Sequence, residues 1–427
     1  MMRALSIAVT VALTAAACAT VESAAPVGIE ALHSDAAFAP GNVTDEDQQR
    51  LAEADTAFAL DLLRLAADGG NVFVSPMSIT TALGMLEVGA RGETLAEIQD
   101  VLWETTPMHA ARGALGVRLQ QGETLPPEVE ADPFVFRSLN SLWLQQDYQV
   151  LQPFLDTLAV DYGAGLFLVD YLADTEGARA AINDWVADKT DDRIEDLIPP
   201  GVLSAATRLV LTNAVYFTAS WMNPFDEADT RGETFTLAYG TPAEVPMMRV
   251  SETFRYAEAE GFQAVWLPYW GGTSMMAILP EASPRELLGA LESGDLADAR
   301  TEAARRPFAQ LSLPRFELEF ELRLNDILSD LGMGSAFRPP PGPGTADFTG
   351  ITAAAELFVT DVLHKAFVAV DEEGTEAAAA TAAVMAGVSA PLDPPLTLRF
   401  DRPFLFLIQD DATGAPIFAG VVENPTA

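Results

Sequence analysis

The chain has 427 residues, 49% of them hydrophobic, with 62 acidic against 24 basic side chains and a formal charge of −38. That is enough apolar material for one large domain or two ordinary ones. Such acidity repels nucleic acid and anionic membranes, and the only lysines, Lys189 and Lys365, build no polybasic patch for a heparin-like polyanion. Cys18 is the single cysteine, which excludes an internal disulfide and a thiolate metal cluster. His33, His109 and His364 are scattered along the chain, a spacing that argues against a histidine-based metal site. No nucleophile-elbow sequence accompanies them, so the expectation is a protein that is not an enzyme and carries no cofactor.

Residues 1–17 begin with a positive charge at Arg3 and continue as a short apolar run that ends in small residues, the pattern of an export signal. Ala15-Ala16-Ala17-Cys18 resembles a bacterial lipobox, in which Cys18 becomes the lipidated first residue. It departs from that pattern at Ala15, where Leu is commoner, and an ordinary Ala-x-Ala cleavage site is the alternative. Residues 18–44 lack periodicity and are rich in Ala, Pro, Gly and acids, which predicts a flexible tether. The sequence thus places a lipid-anchored or secreted protein in a bacterial cell envelope, touching membrane only through its anchor.

The folded body is expected over residues 45–427. Residues 45–68 alternate acids with Leu51, Phe58, Leu60, Leu62, Leu63 and Leu65, an amphipathic helix. Asn71–Val74 reads as a strand, after which Ser75 caps a helix that has Pro76 in its first turn. Strands are predicted at 134–144 and 165–169, with helices at 150–162 and 175–190. Leu209–Phe217 is a continuous apolar run, as in a strand buried on both faces, and Asn213 in its middle is a buried amide that needs partners. Pro339–Gly344 reads as a surface loop, and Phe400–Ile408 as a further strand. No repeat and no composition break after residue 45 marks a second domain.

The stretch from Asp371 to Ser389 admits two readings. By propensity, Thr375–Met385 is a short alanine-rich helix, yet it offers no apolar stripe beyond alanine methyls. As a strand, it places Thr375, Ala377, Ala379, Thr381 and Ala383 on one face, small enough for a crowded sheet interior, and Glu376 on the other.

Glu372-Glu373-Gly374-Thr375-Glu376-Ala377-Ala378-Ala379-Ala380-Thr381 resembles the reactive-loop hinge of inhibitory serpins. It stands between two further serpin-like blocks, Asp361–Ala366 and Phe400–Pro425. Asn71–Leu86, Arg193–Ile198, Thr218–Phe225, Ala264–Tyr269 and Ser274–Pro280 extend the likeness over about nine-tenths of the chain. The resemblance implies a monomeric, single-domain α+β serpin fold of three β-sheets and eight to nine α-helices, with an exposed reactive-centre loop at 371–399. It implies a shutter of Ser75, Ser78, Asn213 and His364, none of them catalytic, and a breach of Trp221, Arg315 and Glu372 with an Arg315–Glu372 ion pair. It further implies suicide inhibition of serine proteases by loop cleavage and strand insertion, with activity on cysteine proteases as an extension. Family spacing from Gly374 puts the scissile bond at Val388–Ser389, with Met385 or Ala386 as the shifted alternatives. Independent of that count, no Lys or Arg lies between Lys365 and Arg399, which suits an elastase-like or subtilisin-like pocket over a trypsin-like one. The competing class is a non-inhibitory serpin that binds or chaperones a partner. Such members usually carry bulky, charged or proline residues in the hinge, which, Glu376 aside, this chain lacks from Thr375 to Ala383.

Overall fold

The computed structural model describes residues 26, 29–66, 69–122, 125–126, 129, 134–375 and 394–426. Among them are nine α-helices: α1 (Asp45–Ala66), α2 (Pro76–Gly89), α3 (Gly92–Val101), α4 (His109–Gln121), α5 (Gln152–Thr157), α6 (Thr175–Lys189), α7 (Pro284–Ala290), α8 (Ser293–Glu302) and α9 (Asn325–Asp330). Local signals account for their starts. Thr44 and Asp47 bond reciprocally ahead of α1, the Ser75 hydroxyl accepts from Ser78 N–H at α2, and Asp174 accepts from Gly177 N–H at α6. The expected helix at 150–162 divides: α5 is followed by a π-helical turn, Leu158–Tyr162.

One sheet has seven strands in the order β1 (Glu30–Leu32), β4 (Leu166–Val169), β3 (Val135–Gln145), β5 (Leu209–Ser220), β14 (Gly374–Thr375), β13 (Val359–Val370) and β12 (Phe316–Arg323). The second runs β2 (Val72–Val74), β17 (Pro416–Val422), β16 (Phe404–Asp410), β10 (Thr273–Pro280), β9 (Phe262–Pro268), β8 (Thr253–Ala259), β11 (Ala304–Pro314), β7 (Pro242–Val250) and β6 (Arg231–Thr236), with β15 (Leu396–Arg399) alongside β11. The expected second and third sheets are continuous, because β11 pairs with β8 through Ala304–Pro307 and with β7 through Leu311–Pro314. The strand expected at Phe400–Ile408 starts at Phe404. Phe400 N–H already bonds Ser312 carbonyl, and Pro403 has no N–H to give a ladder.

The seven-stranded sheet is covered on both faces, which is why β5 reads as an unbroken apolar run. On one face α6 lays Ile182, Trp185 and Val186 over Trp143, Phe167 and Val210. On the other, Val215, Phe217 and Ala219 pack against the second sheet, with Phe217 and Phe418 rings 5.7 Å apart. The expected tether is corrected over its second half. β1 pairs antiparallel with β4, Ala39 N–H bonds Val160 carbonyl at 3.0 Å, and the Ser34 hydroxyl donates to Asp156. Three residues of strand are too short to leave a periodic signature.

Candidate functional site: the open end of the central sheet

β5 and β13 are parallel and paired from Leu209/Val359 to Val215/Ala366, with one register shift between Val359 and Asp361. At the far end they stand apart, and the two residues of β14 lie between them, antiparallel to both: Gly374 pairs with Ser220, and Thr375 with Ala219 and with Val370. The chain reaches this slot by a tight reversal. Asp371 N–H bonds Gly374 carbonyl at 3.0 Å, and the Asp371 carboxylate accepts from Glu373 N–H at 2.9 Å and Gly374 N–H at 3.1 Å. Burial pushes the Asp371 carboxyl up against those two bonds. Only glycine fits at 374, since a Cβ there would stand 2.2 Å from the Ala219 carbonyl oxygen.

The slot is built to hold those residues. Thr375 is fully buried, and its hydroxyl is 2.7 Å from the Tyr269 hydroxyl. Tyr269 stacks on Trp221 with centroids 4.1 Å apart, and burial holds its phenol far above the ordinary range. Trp221 Nε1–H donates to Asp371 carbonyl at 2.9 Å, while Trp221 N–H and Phe225 N–H donate to the carbonyls of Glu373 and Glu372. Glu372 is 2% exposed. Its carboxylate takes the Thr230 hydroxyl on one oxygen and Arg315 on the other, each at 2.6 Å. Arg315 itself is nearly half exposed, so the pair is anchored from the buried side.

A polar row crosses the closed part of the seam. Asn140 of β3, Asn213 of β5 and His364 of β13 are direct cross-strand neighbours. Asn213 bonds both of the others, and its amide also reaches the Ser78 hydroxyl. Ser75 N–H donates to His364 Nε2 at 3.2 Å, so that nitrogen carries no proton and Nδ1–H donates to the Asn213 oxygen. Burial pushes the His364 imidazole down to about 3, which keeps it neutral. The Ser75 hydroxyl donates to Ile417 carbonyl at 2.7 Å, tying the cap of α2 to the second sheet.

The structure therefore gathers the sequence-singled residues in two groups on one seam. Trp221, Arg315, Glu372, Glu373, Gly374 and Thr375 sit at its open end, and Ser75, Ser78, Asn213 and His364 in its closed part. Six positions of β5 separate them, roughly 20 Å. Glu376, Ala377, Ala378, Ala379, Ala380, Thr381, Val388, Ser389 and Cys18 lie outside the described residues. Sequence reasoning missed Ser138 and Asn140, which complete the polar row on one face of β3, with Ser138 2.7 Å from the Ser78 hydroxyl. Two polar residues at period 2 inside a strand were the available signal. It also missed Thr230 and the roles of Tyr269 and Asp371, for which no local pattern exists.

Two parallel strands held apart at one end, with a two-residue strand seated between them, define an open slot in the central sheet. A family model described as serpin (serine protease inhibitor) matches residues 53–425, and the chain belongs to the serpin family. It is 38% identical over 390 residues to a serpin-like protein of Thermococcus kodakarensis, covering 90% of this chain and 88% of that one. It is 34% identical over 392 residues to the leukocyte elastase inhibitor of Sus scrofa, covering 88% of this chain and all of the relative. The structure is similar to that of the thermophilic serpin tengpin in the native state, with a TM-score of 0.78 and 28% identity over 92% of this chain and 97% of that one. Membership supports protease inhibition as the general function, in a family of inhibitors in general rather than enzymes.

Proposed function

We propose that the chain is a suicide-substrate inhibitor of serine proteases with elastase-like or subtilisin-like pockets. The carrying observation is the two-residue strand Gly374–Thr375 already seated between β5 and β13. Continuing its antiparallel registers gives the length and chemistry of a full insertion. Partner numbers across β14 and β5 sum to 594, and across β14 and β13 to 745, from Thr375↔Ala219 and Thr375↔Val370. Both sums bring Thr381 between Asn213 and His364, so the one further hydroxyl on the inward face arrives at the polar row. Met385 arrives opposite Leu209, the first residue of β5, and the Val388–Ser389 bond falls just beyond.

The protease serine oxygen attacks the Val388 carbonyl carbon. The amide to Ser389 breaks, the nitrogen leaves with a proton as a new amino terminus, and Val388 stays esterified to the enzyme. Insertion then exchanges one parallel interface for two antiparallel ones. About a dozen residues gaining on the order of 0.5–1.5 kcal/mol each supply roughly 6–18 kcal/mol, comparable to the roughly 5–15 kcal/mol that holds a typical domain together. That is enough to distort the tethered active site before the ester is hydrolysed. The small Val388 and its similarity to a leukocyte elastase inhibitor support the elastase-like class. Residues 1–17 serve as export signal and Cys18 as the lipidation site, giving an inhibitor held at a bacterial envelope or released from it.

Mixing the intact protein with pancreatic elastase and denaturing the mixture tests this. A band at the summed mass is expected, with mass spectrometry finding a new amino terminus at Ser389. Cleavage with no stable complex refutes the trap, and a cut elsewhere refutes the assigned bond. The nicked protein should also melt well above the intact one.

A further inference from the structure

Behind the seam, α2 runs from the polar row at its first turn to a second buried polar group at its other end. Arg112 of α4 is buried and bonds Asp55 of α1 at 2.9 Å, Thr80 of α2 at 2.7 Å, and Glu104 of the α3–α4 connection. Glu104 also caps α4 by accepting from Met108 N–H. Glu87, on the last turn of α2, is 2% exposed; one of its oxygens accepts from Gln99 of α3 at 2.8 Å. The other accepts no hydrogen bond among the described residues and lies 3.8 Å from His109 Nδ1. That ring nitrogen is 2.7 Å from the hydroxyl of Tyr162, the last residue of the π-helical turn. The elements fit tightly here: a Cβ on Gly84 would stand 2.6 Å from the Tyr162 hydroxyl, and one on Gly113 1.9 Å from the Asp161 carbonyl. Two carboxylates thus bond one guanidinium with Glu87 a third in the same buried cluster, and among the described residues the further titratable groups facing Glu87 are His109 and Tyr162, with Asp161 beyond.

We propose that Glu87 and His109 form a pH-responsive latch which fixes α2 against α4 and the π-helical turn, and through α2 sets how readily the β5–β13 seam opens. Asp55 and Glu104 already face the single guanidinium of Arg112. Ionising Glu87 adds a further negative charge to a site closed to water, and the closed arrangement is disfavoured. α2 is one continuous helix carrying both Glu87 and the Ser75 and Ser78 groups bonded across the seam, so its easing away loosens both ends together.

The two groups act on opposite limbs. Burial, with Glu104 adding and the Gln99 bond opposing, pushes the Glu87 carboxyl from 4.5 up to about 7. A raised carboxyl makes the native state lose stability as pH climbs from 4.5 to about 7. Burial, with Arg112 adding, pushes His109 from 6.5 down to about 4, so stability is lost as pH falls across that window. Tyr162 stays protonated throughout, its phenol held well above 10 by burial. The two windows overlap and oppose each other, so each contribution is read in the variant that lacks the other group.

The test uses the full-length protein and its Glu87→Gln and His109→Gln variants, followed by thermal melting and amide hydrogen exchange from pH 4 to pH 8.5. In the wild type, exchange in α2, β5 and β13, corrected for the intrinsic rate, should be about two- to threefold faster at pH 8.5 than at pH 6, a Glu87 loss of about tenfold partly offset by His109. His109→Gln should raise that ratio to about tenfold. Glu87→Gln should abolish the rise and expose a fall in melting temperature between pH 6.5 and 4. Unchanged limbs in both variants overturn the latch, as does a Glu87→Gln effect confined to α4. Should Glu87→Gln fail to fold, the roughly tenfold pH 8.5 to pH 6 ratio of His109→Gln decides alone. No readout depends on a protease, so the inhibitory reading can fail independently.

Discussion

Replacing Thr375 by Arg acts on the one inserted side chain whose surroundings are fully described. Thr375 is inaccessible to solvent, with its hydroxyl on Tyr269 and its backbone paired with Ala219 and Val370. The substitution removes a buried hydrogen bond worth about 1 kcal/mol. It also asks a guanidinium to enter a fully buried site whose side-chain partner is a single phenol, at several kcal/mol. The introduced guanidinium is expected to leave the slot in the native state, so insertion must then bury it anew. Taking only about 3 kcal/mol of this as added barrier slows insertion roughly 150-fold, at 1.36 kcal/mol per factor of ten. Acyl-enzyme formation happens outside the sheet and is unaffected, so hydrolysis overtakes trapping and inhibitor becomes substrate. The assay is the ratio of covalent complex to cleaved protein on a denaturing gel, titrated against elastase. If Thr375→Arg forms complex at the wild-type ratio, entry of this strand is not what traps the protease.

Glu372→Ala removes the carboxylate that joins Thr230 to Arg315, and the half-exposed arginine limits the loss to roughly 2–3 kcal/mol of hinge support. Faster conversion to polymer or a self-inserted monomer on warming should appear on a native gel, and unchanged lifetime would remove the pair from the mechanism. His364 should show the nitrogen shifts of a neutral Nδ1–H imidazole down to pH 5, since its buried ring is pushed to about 3. An imidazolium signal above pH 5 would contradict the polar row. Its sign is that of a depressed histidine: stability is complete above 6.5 and is lost as pH falls toward 3. Thr381→Val should lower the melting temperature of the nicked protein by a few degrees and leave the intact one unchanged. A loss in the intact form alone would refute the register.

Much of the fold is written locally. α1 and α2 follow from periodicity and from the Ser75 cap, and β5 from an apolar run long enough to be covered twice. What was illegible depends on partners far away in the chain. The Leu158–Tyr162 turn keeps its apolar positions while its hydrogen bonds shift by one residue, so periodicity cannot separate it from α5. Asp55 and Arg112 are 57 residues apart, and nothing in either neighbourhood announces the pair. The hinge is the instructive case. Composition left helix and strand open for residues 375–385, and Thr375 is a strand residue because Tyr269, Ala219 and Val370 surround it. Alternation gave the inward face, and only tertiary pairing could show that its first residue is already inside.

Why the seam stays shut below Thr375 follows from the order of its contacts. At the open end, β14 has replaced direct β5–β13 pairing, and what it gains is local: backbone pairing, one hydroxyl bond and the Glu372 anchor. To advance, the inserting strand must first part Ala366 from Val215, then Lys365 from Ala214, and reach His364 and Asn213 only after those pairs are lost. At that point the His364 Nδ1–H and the Asn213 amide oxygen lose each other while buried, at about 1–3 kcal/mol for each orphaned atom. The barrier therefore peaks at the polar row. On the proposed mechanism, cleavage at Val388 frees Thr381 to reach that row, and the chemistry that holds the native sheet closed then opposes exit, since Thr381 stands where the His364–Asn213 bond had been.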